Sequence, residues 1–363
     1  MGLALHLDDV CMTLGGRLVL DRFALRVAEG ESVALLGASG SGKTTALRVA
    51  AGFLQPDRGR VWVGEQDVTP RPPEMRHMAM IHQRFLLFPH LKVTDNIAFG
   101  LRYQGLPSSE HRQRVASLLA LVGLEGLEQR YPHQLSGGQQ QRVAIARALA
   151  VQPRVLLLDE PLNNLDSAIG EHLLDELRLL QRSTGMAMLY VTHNQAEAAH
   201  IAHRVALLEG GGILQQGTFE ELLERPASVR AAVVLGLKNL YPVRRAGERL
   251  EIPALGVNLP LDGRGAANLL AYLPVDRVRL RPTDQGWGRF EGRVEEIITG
   301  ALATRLCLHR EGIRLTAAVR REELAGLGVA LGCVMTLHFD TAALQLLPGG
   351  ERREGEQGVS SPC

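Results

Sequence analysis

Leu35-Leu36-Gly37-Ala38-Ser39-Gly40-Ser41-Gly42-Lys43-Thr44-Thr45 decides how the rest of the chain is read. The apolar run Val33–Leu36 before it reads as a buried strand, and Thr44–Ala51 after it reads as a helix. Strand, G-x-x-x-x-G-K-T and helix together form the context of a P-loop. Glycines let consecutive backbone N–H groups turn inward around phosphate oxygens with no Cβ in the way. The helix then aims its positive end at the same anion. In this pattern Gly37, Ala38, Ser39, Gly40, Ser41, Gly42 and Thr45 form the cradle. Lys43 reaches the β/γ-phosphates and Thr44 offers a hydroxyl to Mg²⁺. The chain has only three lysines, Lys43, Lys92 and Lys238, and one of them stands where the phosphates need it.

The remainder of the chain sets bounds. At 363 residues two domains are expected, and 45% hydrophobic residues suffice for a sizeable core. Lys and Arg number 40 against 39 Asp and Glu, which gives no sign of a polyanionic partner such as nucleic acid. No apolar run approaches the ~20 residues that cross a bilayer. No basic segment leads into a long apolar one, so no signal peptide is expected. Cys11, Cys307, Cys333 and Cys363 are scattered, as reduced thiols are, rather than paired for zinc or disulfides.

In order, Leu3–Val10 and Leu18–Val27 read as strands around the Gly15-Gly16 turn. Arg60–Val63 and Met78–Gln83 follow as strands, with Gln83 at the exit of the second. Val115, Leu118, Leu119 and Val122 fall at helical spacing within Glu110–Val122, and a second helix is expected from Gln139 to Ala150. Residues 89–150 thus read as a helical insert in an α/β domain spanning 1–236. Val155–Leu158 and Met188–Val191 resume as strands. Between them lies a helix carrying Ile169, Leu173, Leu177 and Leu180 and closed by Gly185. Apolar runs alternating with helices predict a mainly parallel sheet buried on both faces. Thr218-Phe219-Glu220-Glu221 opens a short helix that stops before Pro226. From 237 to 349 helical periodicity gives way to short strands: Val275–Leu280, Phe290–Ile298, Arg305–His309, Ile313–Ala317 and Val334–Phe339. That texture predicts a smaller all-β, OB-like domain, followed by a polar tail over 350–363.

Val155-Leu156-Leu157-Leu158-Asp159-Glu160 is an apolar strand ending in two carboxylates. Beside a P-loop this is a Walker B segment, with Asp159 serving Mg²⁺ and Glu160 placed to take a proton from an attacking water. Upstream, Leu135-Ser136-Gly137-Gly138-Gln139 lies 23 residues before Asp159, counted from Ser136. With this stretch the whole chain resembles the ATP-binding cassette (ABC) ATPases, whose signature is L-S-G-G-Q.

The resemblance implies ATP and Mg²⁺ as ligands and a second ATPase subunit, in a homodimer whose signatures face each other's P-loops. Gln83, counted with the ATP site, resembles the Q-loop glutamine that touches Mg²⁺ or water and senses the membrane partner, and Asp166, in Asn163-Asn164-Leu165-Asp166, resembles the D-loop aspartate. His193, after Val191-Thr192, resembles the switch histidine that works with Glu160 in hydrolysis. The family's adenine-stacking aromatic is replaced by Leu14, which offers weaker apolar contact, and Asn163 stands where a small residue is usual.

Phe88–Leu91, Asn96–Leu101 and the β-rich 237–349 resemble importer ATPases for polyamines, ferric iron, sulfate or molybdate, and sugars, whose C-terminal module is a TOBE domain. Polyamine or iron solutes are the preference from general similarity. By the same resemblance the partners are two integral-membrane permease subunits and, indirectly, an extracytoplasmic solute-binding protein. The location is then peripheral, on the cytoplasmic face of the cell (inner) membrane. A soluble ABC ATPase of DNA repair or translation is the rival reading. It lacks support in the absence of a long coiled coil or a second cassette. A P-loop kinase or GTPase would leave the signature unexplained.

Overall fold

Strands buried on both faces need apolar side chains at every position, and three runs here meet that demand. The computed structural model describes residues 2–81, 86–103, 105, 107–163, 167–260, 269–282, 286–300, 303–324 and 327–349. Gln83 and Asp166 lie outside the described residues. The chain divides into two compact units, Met1–Phe219 and Glu220–Cys363.

In chain order the first unit contains β1 (Leu3–Leu14), β2 (Arg17–Ala28), β3 (Ser32–Leu36), α1 (Lys43–Ala51), β4 (Arg58–Val63), β5 (Gln66–Asp67) and β6 (Met78–Ile81). It continues with α2 (Val93–Ala98), α3 (Ser108–Leu121), α4 (Gly137–Ala150), β7 (Val155–Asp159) and α5 (Ser167–Thr184). The unit ends with β8 (Ala187–Thr192), α6 (Gln195–Ile201), β9 (Arg204–Glu209) and β10 (Gly212–Gly217). One sheet has the order β10-β9-β3-β8-β7-β6 and is parallel apart from β10. The other, β2-β1-β4-β5, is antiparallel.

Every residue of β3, β7 and β8 is buried. Alternation then sorts their side chains between two cores. Val155, Leu157, Leu189 and Val191 pack with α1 and the antiparallel sheet. Leu156, Leu158, Met188 and Tyr190 pack with the helices of residues 93–150 and α5. A period of two, buried on both sides, is what makes these strands continuous apolar runs.

Two buried polar groups fix the first unit locally. Arg76 is fully buried, and its guanidinium donates to the carbonyls of Val49, Ala50, Thr69 and Arg71 at 2.8–2.9 Å. Val49 and Ala50 lie in the last turn of α1, so the cation closes the carbonyl end of the helix that starts at Lys43. Asn96, also fully buried, donates to Phe88, Leu91 and Lys92 carbonyls and accepts from the Phe88 N–H. It holds the 88–92 turn ahead of α2.

The second unit is built from antiparallel strands. The largest sheet has five: Val278–Arg279, Val334–Asp340, Trp287–Thr299, Ala303–Arg310 and Ile313–Arg320, in spatial order. Its two edge strands return alongside each other, so the sheet nearly closes into a barrel around Phe290, Leu306, Leu315, Leu337 and Phe339. Gly288 faces Phe339, whose ring would lie 2.2 Å from any Cβ added there. Two three-stranded sheets complete the unit. Of the run Val275–Leu280, expected as one strand, only Val278–Arg279 is extended. Pro274 instead opens a 3₁₀ turn at Val275–Arg277, for which its fixed φ of −58° is suited. The first compact unit ends at Phe219, ahead of the boundary at 236 expected from the sequence. Tyr272 donates to the Leu223 carbonyl at 3.2 Å, and Ala232 packs on Tyr272 and Leu347, so residues after Phe219 gather with the β-rich unit.

Candidate active site

The site gathers where β3, β7 and β8 end at their carboxyl edges, the usual place for ligands on a parallel sheet. After β3 the chain turns sharply. A Cβ at Gly37 would sit 2.3 Å from the Leu208 carbonyl oxygen. Gly42, at the N-cap of α1, has φ 109° and faces the Val19 oxygen at 2.9 Å from the same virtual atom. Neither position admits a side chain.

Lys43 is 4% exposed, and its Nζ donates to the Gly37 and Ala38 carbonyls at 2.8 Å each. Burial pushes its ammonium below the usual lysine range, while Glu160 and Asp159 act in the opposite direction. Thr44 Oγ1 donates to Asp159 Oδ1 at 2.9 Å, joining the P-loop helix to β7 across 115 residues of sequence. The Ser41 hydroxyl is buried with no hydrogen-bond partner among the described residues.

Glu160 follows Asp159 with φ at 45°, a left-handed turn unusual for a side-chain-bearing residue. Its N–H donates to the Val191 carbonyl at 3.0 Å, which pins it beside the end of β8. His193, just past β8, brings Nδ1 to 3.5 Å from Glu160 Oε1. Asn163 donates its side-chain amide to Glu160 Oε2.

A cavity of about 370 Å³ takes in Ser39, Gly40, Gly42, Lys43, Thr44, Thr45 and Glu160. Leu14 lines it, as expected from the sequence. Arg17, Leu18, Val19, Gly210 and Gly211 also line it, and no motif in the sequence marks them for this site. The last two form the turn between β9 and β10. The Gly211 N–H donates to the Ser41 carbonyl at 3.2 Å, and its carbonyl accepts from Asp21 at 3.1 Å. The tandem glycines were readable as a turn, but only the β9–β3 pairing reveals what they touch.

The signature stands apart from this cavity. Ser136 caps α4, its Oγ accepting from Gln139 N–H at 3.3 Å while Gln139 Oε1 accepts from Ser136 N–H at 3.0 Å. This reciprocal capping box starts the helix. Leu135 is buried behind it, and Gly137 and Gly138 form its first turn. Ser136, Gly138 and Gln139 line a second cavity of about 360 Å³ with Arg142, His172 and Leu173, sharing no residue with the first. A larger cavity, about 770 Å³, is distinct from both. It is lined by residues preceding β3, β7 and β8, with side chains of α3, and contains none of the P-loop residues. Size alone would have misplaced the active site.

Residues 20–163 match the sequence model of the ABC transporter family. A putative 2-aminoethylphosphonate import ATP-binding protein, PhnT, of Salmonella typhimurium is 48% identical over 80% of this chain and 81% of its own length. The chain belongs to the ABC transporter family. It is an ATP-binding and ATP-hydrolysing subunit of the import type. Likeness to a sulfate/thiosulfate import ATP-binding protein, CysA 2, of Chromobacterium violaceum runs to 39% identity over 96% of this chain and 97% of that protein. Similarity to ABC ATPases therefore extends through the β-rich unit. The cassette MJ0796, solved as a dimer in a post-hydrolysis state with ADP and Pi, superimposes at a TM-score of 0.53 with 31% identity. It covers 59% of this chain and 98% of its own. The soluble ABC reading finds no support among these relatives.

Proposed function

We propose that the chain is the motor subunit of an importer, in which two copies clamp two ATP molecules head to tail and drive two membrane-embedded permease subunits. The observation that carries the reading is the convergence of Lys43, Thr44, Asp159, Glu160 and His193 at one sheet edge.

The nucleotide's phosphates would take the place of the Gly37 and Ala38 carbonyls as partners of the Lys43 ammonium, with the P-loop N–H groups around them. The unpartnered Ser41 hydroxyl supplies one more donor. Thr44 and Asp159 present a hydroxyl and a carboxylate 2.9 Å apart, hard oxygens of the kind Mg²⁺ selects, so the residues present fit that ion. Bound there, Mg²⁺ would neutralise charge on the β/γ-phosphates. Gln83 is assigned to the same ion from its motif alone. Glu160 takes the proton of the attacking water, and His193 beside it contacts the γ-phosphate and holds the carboxylate's orientation. Leu14 and Leu18 give the base an apolar wall in place of an aromatic one.

Ser136, Gly137, Gly138 and Gln139 would complete the pocket of the second copy, with Asp166 at the seam. The separation of the two cavities within one chain supports this division of labour. Among the described residues no helix is long and apolar enough to cross a membrane. A peripheral position on the cytoplasmic face, held by the permease, accords with the importer reading. A solute-binding protein on the other face would select the cargo. The relatives are named for solutes as different as an aminophosphonate and sulfate, which argues that solute choice lies outside this chain. We assign 1–219 to the nucleotide-binding domain and the β-rich remainder to a TOBE-like domain.

Glu160→Gln should bind ATP with near wild-type affinity, hydrolyse it at a small fraction of the wild-type rate and accumulate as a closed dimer on gel filtration. Wild-type turnover in that variant would overturn the assignment of the base.

A further inference from the structure

Both oxygens of the Glu160 carboxylate face nearby polar groups. Oε1 faces His193 Nδ1 at 3.5 Å, and Oε2 accepts from the Asn163 side-chain amide. Asn163 itself has little freedom. Its N–H donates to the Glu160 carbonyl at 3.3 Å, closing a turn over Glu160-Pro161-Leu162-Asn163. That turn is fastened beneath by Leu162, 8% exposed, packed in the core that contains α4 and α5. It is fastened again by Gln141 of α4, fully buried, whose amide donates to the Pro161 carbonyl at 3.1 Å. One side chain therefore reaches the carboxylate from a turn tied to the signature helix. A small residue at position 163 would leave that oxygen without this partner.

We propose that Asn163 is a positioning residue for hydrolysis, its amide fixing the rotation of the Glu160 carboxylate so that the oxygen facing the cavity is aimed at the attacking water. A carboxylate has about four acceptor sites, so one donated bond orients it without consuming its capacity to take a proton. Orientation of this kind acts on the chemical step and leaves nucleotide binding alone. The inference rests on the assignment of Glu160 as the base.

The test uses the full chain with Mg·ATP. Asn163→Asp keeps the shape but replaces the donor by an acceptor, and Asn163→Ala removes the group; Asn163→Gln retains an amide on a longer stem. The expected result is a roughly ten-fold loss of kcat in the Asp and Ala variants, within the range such positioning contributes. ATP affinity and melting temperature should stay unchanged, with partial recovery in Asn163→Gln. In a Glu160→Gln background, Asn163→Ala should add no further loss to the residual single-turnover rate, because it acts through the group already removed. Wild-type kcat in both the Asp and Ala variants would overturn the inference. So would equal losses in kcat and ATP affinity, or a full further loss in the double variant. Failure of the base assignment would show separately, as wild-type turnover in Glu160→Gln alone.

Discussion

At the scale of single residues, Lys43 sits in the P-loop with its charge held by two carbonyls of the same loop. Phosphate must compete with those bonds, and what it offers in exchange is charge. Hydrogen bonds to charged groups contribute about 1.5–3 kcal/mol each. Lys43→Ala should therefore weaken ATP binding by roughly ten- to a hundred-fold, measured by calorimetric titration. Arg76 shows the same chemistry put to structural use. Methionine at this position would fill the volume but leave the Val49, Ala50, Thr69 and Arg71 carbonyls without their donor. The expected cost is about 1–3 kcal/mol, seen as a shift of the urea midpoint at unchanged slope. Of these two residues only Lys43 was legible in the sequence. Its role is written in a local motif, whereas the partners of Arg76 lie up to 27 residues away. Asn163 was legible as a departure from the family's pattern, but its contact with Glu160 depends on a turn whose geometry no spacing reveals.

At the scale of elements, the strands that carry the site announce themselves because they are buried on both faces. Val33–Leu36, Val155–Leu158 and Met188–Val191 could be read directly. Other elements leave less trace. Arg244–Ala246 is exposed along its whole length, so no apolar side marks it as a strand. At six residues, α2 is too short for helical periodicity to register. The strand Trp287–Thr299 was read only from Phe290. Its first residues include Gly288, whose value is the absence of a side chain beside Phe339. Gly288→Ala forces a Cβ against that ring and should destabilise the β-rich unit by about 1–3 kcal/mol. ATP affinity should stay at the wild-type value, so paired melting and titration experiments check the prediction.

At the scale of the whole molecule, the two units have separate apolar cores. The sequence shows that division as a change of texture past 236, whereas the compact units divide at 219/220. The short helices that follow Phe219 read as helical in the sequence, but their packing partners lie in the β-rich unit. The same separation of parts recurs inside the first unit, where the phosphate loop and the signature line cavities with no residue in common. On the reading proposed here, a chain damaged in one feature still has the other to lend. Lys43→Ala retains a working signature, and Ser136→Glu retains a working P-loop. Each should be inactive alone. Mixed in equal amounts they should regain a quarter of wild-type turnover: half of random pairs are mixed, and each mixed pair holds one intact site of two. The signal should fade on dilution as pairs come apart. A steady-state ATPase assay of the mixture, with chain concentration as the variable, would show inheritance of function by complementation between two broken copies.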